Sequence, residues 1–177
     1  MRSIWQIIIL SIIGVTLASC ASVPLETAYV PADVTGWDVG YAKDVRGQGN
    51  IVEYVKAPET INNWTKLITI QFLEGYKERP RTVMDRLESS MRGRCPDVQW
   101  SVINETETTV LYEWKIEGCH GQDDQHEISK LLKGNDGVHR AAYAEKEASI
   151  DTVIRQRWVD WLSKAYVEKA GERVVIK

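Results

Sequence analysis

The 177-residue chain has no excess of basic charge: 22 Lys and Arg stand against 25 Asp and Glu, a formal net charge of −3. That excludes a protein drawn to nucleic acid by bulk electrostatics. No apolar run reaches the ~20 residues that a comfortable membrane-spanning helix needs. The chain has no CxxC pair, no GxSxG elbow, no GxGxxG turn and no P-loop, so no local motif announces a zinc ribbon, a serine hydrolase or a phosphate cradle. It carries no internal repeat. What is there is ordinary for a folded protein: 44% hydrophobic and 27% charged residues, in a length that suits one domain and not two.

The strongest local pattern opens the chain. Arg2 supplies one positive charge, the run Ile4–Ile13 is apolar apart from Gln6 and Ser11, and small residues lead into Leu17-Ala18-Ser19-Cys20. That order is the order of an export signal. The last four residues resemble the lipobox of bacterial lipoproteins. The resemblance implies that residues 1–19 are a signal peptide and that Cys20 becomes the acylated first residue of the mature chain. Ala21 and Ser22 follow it, with no Asp at 21, which is similar to the outer-membrane class and implies a domain facing the periplasm. Acyl chains hold by about 0.8 kcal/mol per buried methylene, so two or three make the anchor permanent. Losing Arg2 leaves the mature chain one unit more negative than the −3 of the whole. The partner at the bilayer is therefore the lipid on Cys20 and not a basic patch.

With Cys20 taken by lipid, Cys95 and Cys119 remain, and an exported domain makes a disulfide between them the expectation. Closing a loop of that size is worth about 3.5 kcal/mol on the chain-entropy model. A thiol or metal pair is the alternative, unsupported by spacing.

Residues 20–35, with two prolines and no periodicity, read as the lipidated Cys and a flexible tether. Residues 36–177 read as one α+β domain. Trp37, Val39 and Tyr41 alternate with polar or small residues. With Ile51–Lys56, across the turn Lys43–Asn50, they predict a hairpin. Leu67–Leu73 predicts a strand. A helix follows, with Thr82 and Asp85 at capping-box spacing, an apolar stripe of Val83, Met84, Leu87 and Met91, and a stop at Gly93. A second hairpin pairs Val102 with Val110, Trp100 with Tyr112 and Val98 with Trp114, which sets Cys95 opposite Glu117, two residues from Cys119. His126–Lys133 and Val138–Glu145 make a third hairpin across Gly134–Gly137. Its weak alternation predicts a wet edge. Ile150, Val153, Ile154, Trp158, Trp161, Leu162 and Ala165 recur at helical spacing and predict a long helix over Ser149–Lys169. Arg173–Lys177 is a short terminal strand or a tail. The expectation is a mostly antiparallel sheet of about six or seven strands with two amphipathic helices packed on one face.

Asn63-Trp64-Thr65 leading into Ile68-Thr69-Ile70-Gln71 is similar to a segment of small exported bacterial proteins of unknown function. The element order resembles the PsbP-like α+β fold. That likeness implies a fold and carries no site residues.

Candidate sites are few. His120 and His126, with Asp123, Asp124 and Glu127 around them, are the most tempting cluster with metal-ligating chemistry. Their six-residue separation is no established ligand spacing, and a polar loop is the plainer reading. His139 sits beside the glycine-rich turn, facing Leu132. Ser89, Ser90, Ser101 and Ser129 lie in no nucleophile motif. Trp37, Trp100, Trp114, Trp158 and Trp161 fall on apolar faces. Trp64 lies off any periodic face and is a loop anchor or a partner contact, and the Trp158/Trp161 pair is a second possible docking face. No catalytic set and no cofactor are implied. The expected function is a non-enzymatic, membrane-anchored interaction or assembly module for other envelope proteins. The alternative is a small-ligand or metal-binding lipoprotein.

Overall fold

The computed structural model describes residues 26–169. The lipobox reading, the signal over 1–19 and the terminal segment Arg173–Lys177 lie outside them. Nine strands and two helices follow in the order β1 (Glu26–Tyr29), β2 (Trp37–Val45), β3 (Gly49–Lys56), β4 (Lys66–Glu74), α1 (Pro80–Arg94), β5 (Gln99–Glu105), β6 (Thr109–Ile116), β7 (Gln125–Lys133), β8 (Gly137–Glu145), α2 (Thr152–Ser163) and β9 (Tyr166–Lys169). Seven strands form one antiparallel sheet, ordered β2-β3-β4-β8-β7-β6-β5, and β1 pairs with β9. Among the described residues no helix is long and apolar enough to cross a membrane.

The helices lie on opposite faces of the sheet, not on one. Val83 and Met84 of α1 pack with Val110, Tyr112, Leu131 and Val138. Trp158 and Leu162 of α2 pack with Ile68, Leu111, Ile128, Ala141 and Tyr143. Val110 and Leu111, adjacent on β6, therefore serve different cores, as strand geometry requires. This also explains the weak alternation of β7 and β8. They are the centre of the sheet and not a wet edge, and they are buried along nearly their whole length. A strand covered on both faces has no polar side to alternate with.

Three local expectations shift. The β5–β6 hairpin slides by two residues, so that Trp100 faces Trp114 and Val102 faces Tyr112, with a bulge between Val102 and Asn104. The cause lies in the turn, where the Thr106 hydroxyl accepts from Thr109 N–H at 3.0 Å and closes the loop tightly. A two-residue slide keeps the faces. It brings Cys95 into line with Cys119, and the two form a disulfide with Cα atoms 5.6 Å apart. In β2 a bulge between Val39 and Tyr41 pairs them with Tyr54 and Glu53, so they face opposite sides. Gly40 sits there because a Cβ would meet Val55 at 3.0 Å. Helix α1 starts at Pro80, with Arg79 as N-cap and no Thr82 cap, and runs past Gly93 to Arg94.

Both ends of the domain differ from the sequence reading. Helix α2, capped by Asp151 accepting from Val153 and Ile154 N–H, stops at Ser163 and not at Lys169. The buried Lys130 ammonium donates to Ser163 O at 2.8 Å and Ala165 O at 2.9 Å, satisfying carbonyls that a longer helix would have used. The chain then turns into β9. Its partner β1 lies inside the expected tether of 20–35. There Glu26 is buried, and its carboxylate accepts from Asn135 N–H at 2.9 Å and Asn135 Nδ2 at 2.8 Å in the β7–β8 turn.

Candidate binding groove

The α1 face of the sheet is not uniformly apolar. The central strands β6, β7 and β8 place Trp114, Glu127 and Arg140 side by side on it. Glu127 Oε1 accepts from Arg140 Nη2 at 2.6 Å, from Trp114 Nε1 at 3.1 Å and from Ser129 Oγ at 2.5 Å. Burial opposes the charge on Arg140, but Glu127 and Tyr112 more than offset it and raise its pKa above the ordinary value. Burial raises the pKa of the neighbouring Glu53, and Arg140 and Thr69 only partly offset that. A buried ion pair is tolerated where its remaining hydrogen-bonding groups are satisfied. Here Arg140 Nε has no partner, and neither does Trp100 Nε1.

Both orphaned donors belong to residues lining one groove between α1 and the sheet. Its volume is about 320 Å³. Its floor includes Gln71, Arg140, Trp114 and Trp100, and its wall includes Val83, Leu87, Ser90 and Met91. Arg86 and Arg94 of α1 also line it, and no carboxylate does. Arg86 pairs with Glu78 at 2.7 Å. Among the described residues Arg94 pairs with no carboxylate. The Trp100 ring lies nearly parallel to Trp114, at 13° with centroids 6.3 Å apart, and to Tyr112, at 12° and 5.1 Å.

The groove holds shape and charge but no nucleophile with a free base. Ser129 touches Glu127, yet Ser129 is fully buried and Glu127 is engaged by a guanidinium. Ser90 lines the groove, and among the described residues no base pairs with it.

The residues singled out by sequence are scattered. His120 is exposed, whereas His126 is buried. His126 Nδ1 accepts from Ile150 N–H at 2.9 Å, which puts its proton on Nε2, facing Glu113 Oε2 at 3.2 Å. Burial lowers its pKa below the ordinary value despite Glu113. Both ring nitrogens are thus engaged, and no lone pair is left for a metal. Asp123 pairs with Lys146 at 2.8 Å, and Asp124 accepts from Gly118 N–H. Among the described residues no three His, Cys, Asp or Glu side chains converge to hold a cation. His139 faces Leu132 as expected and stacks on Phe72 with centroids 4.7 Å apart.

Trp64 is half-buried. It packs beside Val55, Leu67 and Ala144, and the Lys146 ammonium lies 5.0 Å from its ring, so it anchors the loop before β4. Trp158, expected on an apolar face and one of the pair offered as a second docking face, is 5% exposed and stacks on Tyr143 with centroids 4.2 Å apart. It is core. Trp161 is half-buried and meets Trp158 edge-on at 5.0 Å.

Sequence reasoning missed Arg140, Lys130 and Glu26, and it placed Glu127 in the cluster around His120 and His126, not beside Arg140. Arg140, Glu127 and Lys130 carried a usable signal: charged residues inside strands that are otherwise apolar. No protein-family model and no curated protein matches the chain.

Proposed function

We propose that this chain is a lipid-anchored lipoprotein of the bacterial cell envelope, held through acylated Cys20 at the outer membrane facing the periplasm. Its domain works by binding other envelope proteins and not by chemistry. The lipobox supports the location. The likeness to PsbP-like exported proteins belongs to the same proposal and assigns no residue a role.

The observation that carries the interaction reading is the free edge of β2. Among the described residues this nine-residue strand pairs only with β3, and it presents Val39, 60% exposed, and Tyr41, 39% exposed. An edge of that length offers unpaired backbone groups to an added strand, and exposed apolar side chains give such an addition its specificity. The opposite edge, β5, is shorter at seven residues, and both edges carry a bulge.

The test places a photo-crosslinking residue at Val39 or Tyr41 in intact cells, with Val153 on α2, 66% exposed, as control. One envelope protein captured from the β2 positions and not from Val153 is the expected result. Capture of lipid alone, or equal capture from all three, overturns the interaction reading. Release of the Cys20→Ser chain from the membrane, or its failure to be processed, is expected in parallel. Normal processing and membrane retention of that variant overturns the anchor.

A second reading, small-ligand binding, rests on a different observation: the groove under α1 with its two orphaned donors. The metal form of that alternative has no support from His120 and His126.

A further inference from the structure

We propose that the groove between α1 and the sheet binds an amphipathic monoanion, a small molecule with a carboxylate or sulfonate head on a flat apolar body. This inference rests on the small-ligand reading and is independent of the β2 edge.

Four features of the groove converge on that class. The first is charge. Three guanidiniums and no carboxylate line the cavity, in a chain whose net charge is −3. Arg140 is matched by Glu127 and Arg86 by Glu78. Arg94 has no such match among the described residues, so one positive charge is left over, and a single negative charge balances it. A doubly charged phosphate overshoots.

The second feature is hydrogen bonding. Trp100 Nε1 and Arg140 Nε are buried and unpartnered, and both residues belong to the lining. Buried donors are ordinarily paired. Here both missing partners are acceptors. The two atoms are closed to solvent, so a ligand carboxylate reaches them when the Trp100 and Arg140 side chains turn toward the groove, and it then supplies several acceptors at once. Charge-assisted bonds of this kind are the strong ones.

The third feature is the body of the ligand. Leu87 and Met91 form an apolar wall, and Trp100 and Trp114, stacked near-parallel on each other, line the side facing it. Flat rings favour offset stacking with a planar partner, and a thioether packs well on aromatic edges. The fourth feature is size. A volume of about 320 Å³ is at the low end for ligand pockets, which excludes large cofactors.

The test uses naphthalene-2-carboxylate as the planar monoanion and 2-naphthalenemethanol as its neutral counterpart. Each is titrated calorimetrically into the full chain in mild non-ionic detergent. Titration into detergent buffer alone controls for partition into micelles, and Arg157→Gln, on α2, controls for the loss of a positive charge outside the groove. The expected result is one saturable site for the carboxylate, with the alcohol about tenfold weaker or worse. Arg94→Gln weakens the carboxylate about tenfold and leaves the alcohol unchanged, because only the head-group charge is lost. Trp100→Phe keeps the ring, removes the N–H and weakens the carboxylate about fivefold. Circular dichroism confirms that each variant is folded.

Equal affinity for acid and alcohol overturns the proposal. So does carboxylate affinity unchanged in both Arg94→Gln and Trp100→Phe, or no saturable binding to the folded parent at millimolar ligand. Failure here leaves the crosslinking result at β2 untouched, and failure there leaves this one untouched. The two readings therefore fail separately.

Discussion

Replacing Glu26 tests whether the segment before the domain is a tether or a structural strap. The Glu26 carboxylate takes Asn135 N–H at 2.9 and 3.1 Å, Asn135 Nδ2 at 2.8 Å and Asp136 N–H at 3.3 Å. Burial opposes its ionisation, but these donors more than offset it and hold its pKa below the ordinary carboxylate value. The turn is shaped around it: a Cβ on Gly134 would lie 2.2 Å from Glu26 Oε2. Hydrogen bonds to a charged group are worth about 1.5–3 kcal/mol each and are not additive. Glu26→Ala, which orphans the donors together, therefore costs about 2–4 kcal/mol. In a chain of this size that lowers Tm by about 5–15 °C. Glu26→Gln keeps an acceptor but turns an NH₂ toward other donors and costs about half as much. The assay is a thermal melt at pH 7.5, with amide exchange at Asn135 and Asp136 as the local readout. The sign with pH follows from the lowered pKa. The carboxylate's contribution is present above its unfolded value near 4.5 and is lost as pH falls through the folded value, so parent and Glu26→Gln converge in acid. A Glu26→Ala melt within about 1 °C of the parent, with unchanged exchange at the turn, refutes the strap.

Three further outcomes are expected. His126 and His139 both have lowered pKa values through burial. The unfolded chain therefore gains protons first, and stability falls as pH drops below about 6.5, at up to about 1.4 kcal/mol per pH unit for each group; a urea midpoint that does not move between pH 7.5 and 5.5 contradicts this. Free-thiol labelling before reduction finds neither Cys95 nor Cys119, and reduction costs about 2–4 kcal/mol in a denaturant melt; labelling of both native residues removes the bridge. Glu127→Leu, which strands the Arg140 guanidinium, costs about 3–5 kcal/mol, and adding Arg140→Leu recovers part of it. In that double-mutant cycle, simple additivity of the two losses shows that the pair does not interact.

Much of the domain was legible because its signals are local. The β5–β6 strands, α1 and α2 each announce themselves by periodicity, and an antiparallel order follows from the short turns between strands. The disulfide was legible from Cys20 leaving two cysteines and from a hairpin register that kept its faces even when slid by two residues. The pattern misled where burial was double-sided. Strands β7 and β8 looked like a wet edge because nothing in a two-sided environment forces alternation. Their place in the middle depends on β4 pairing with β8 from the far side of α1 and two hairpins.

The candidate groove shows the same division. Its apolar wall was visible as the stripe Val83, Met84, Leu87 and Met91, and Trp100 and Trp114 were visible as inward-facing positions. What made them a site was not. Arg140 becomes a lining residue only when β8 enters beside β4, and its match to Glu127 exists only through the β7–β8 pairing. Glu26 finds its donors 109 residues away. Sequence by itself determined the strands of the seven-stranded sheet, their antiparallel sense, the two helices and the cysteine pairing, because each rests on neighbours in the chain. Strands β1 and β9 were not among them, and the address at Cys20 stays a proposal. Tertiary structure alone decided which face each helix covers, which charges are buried together and where a cavity opens. Those properties arise from contacts between strands distant in sequence, and no local periodicity encodes them.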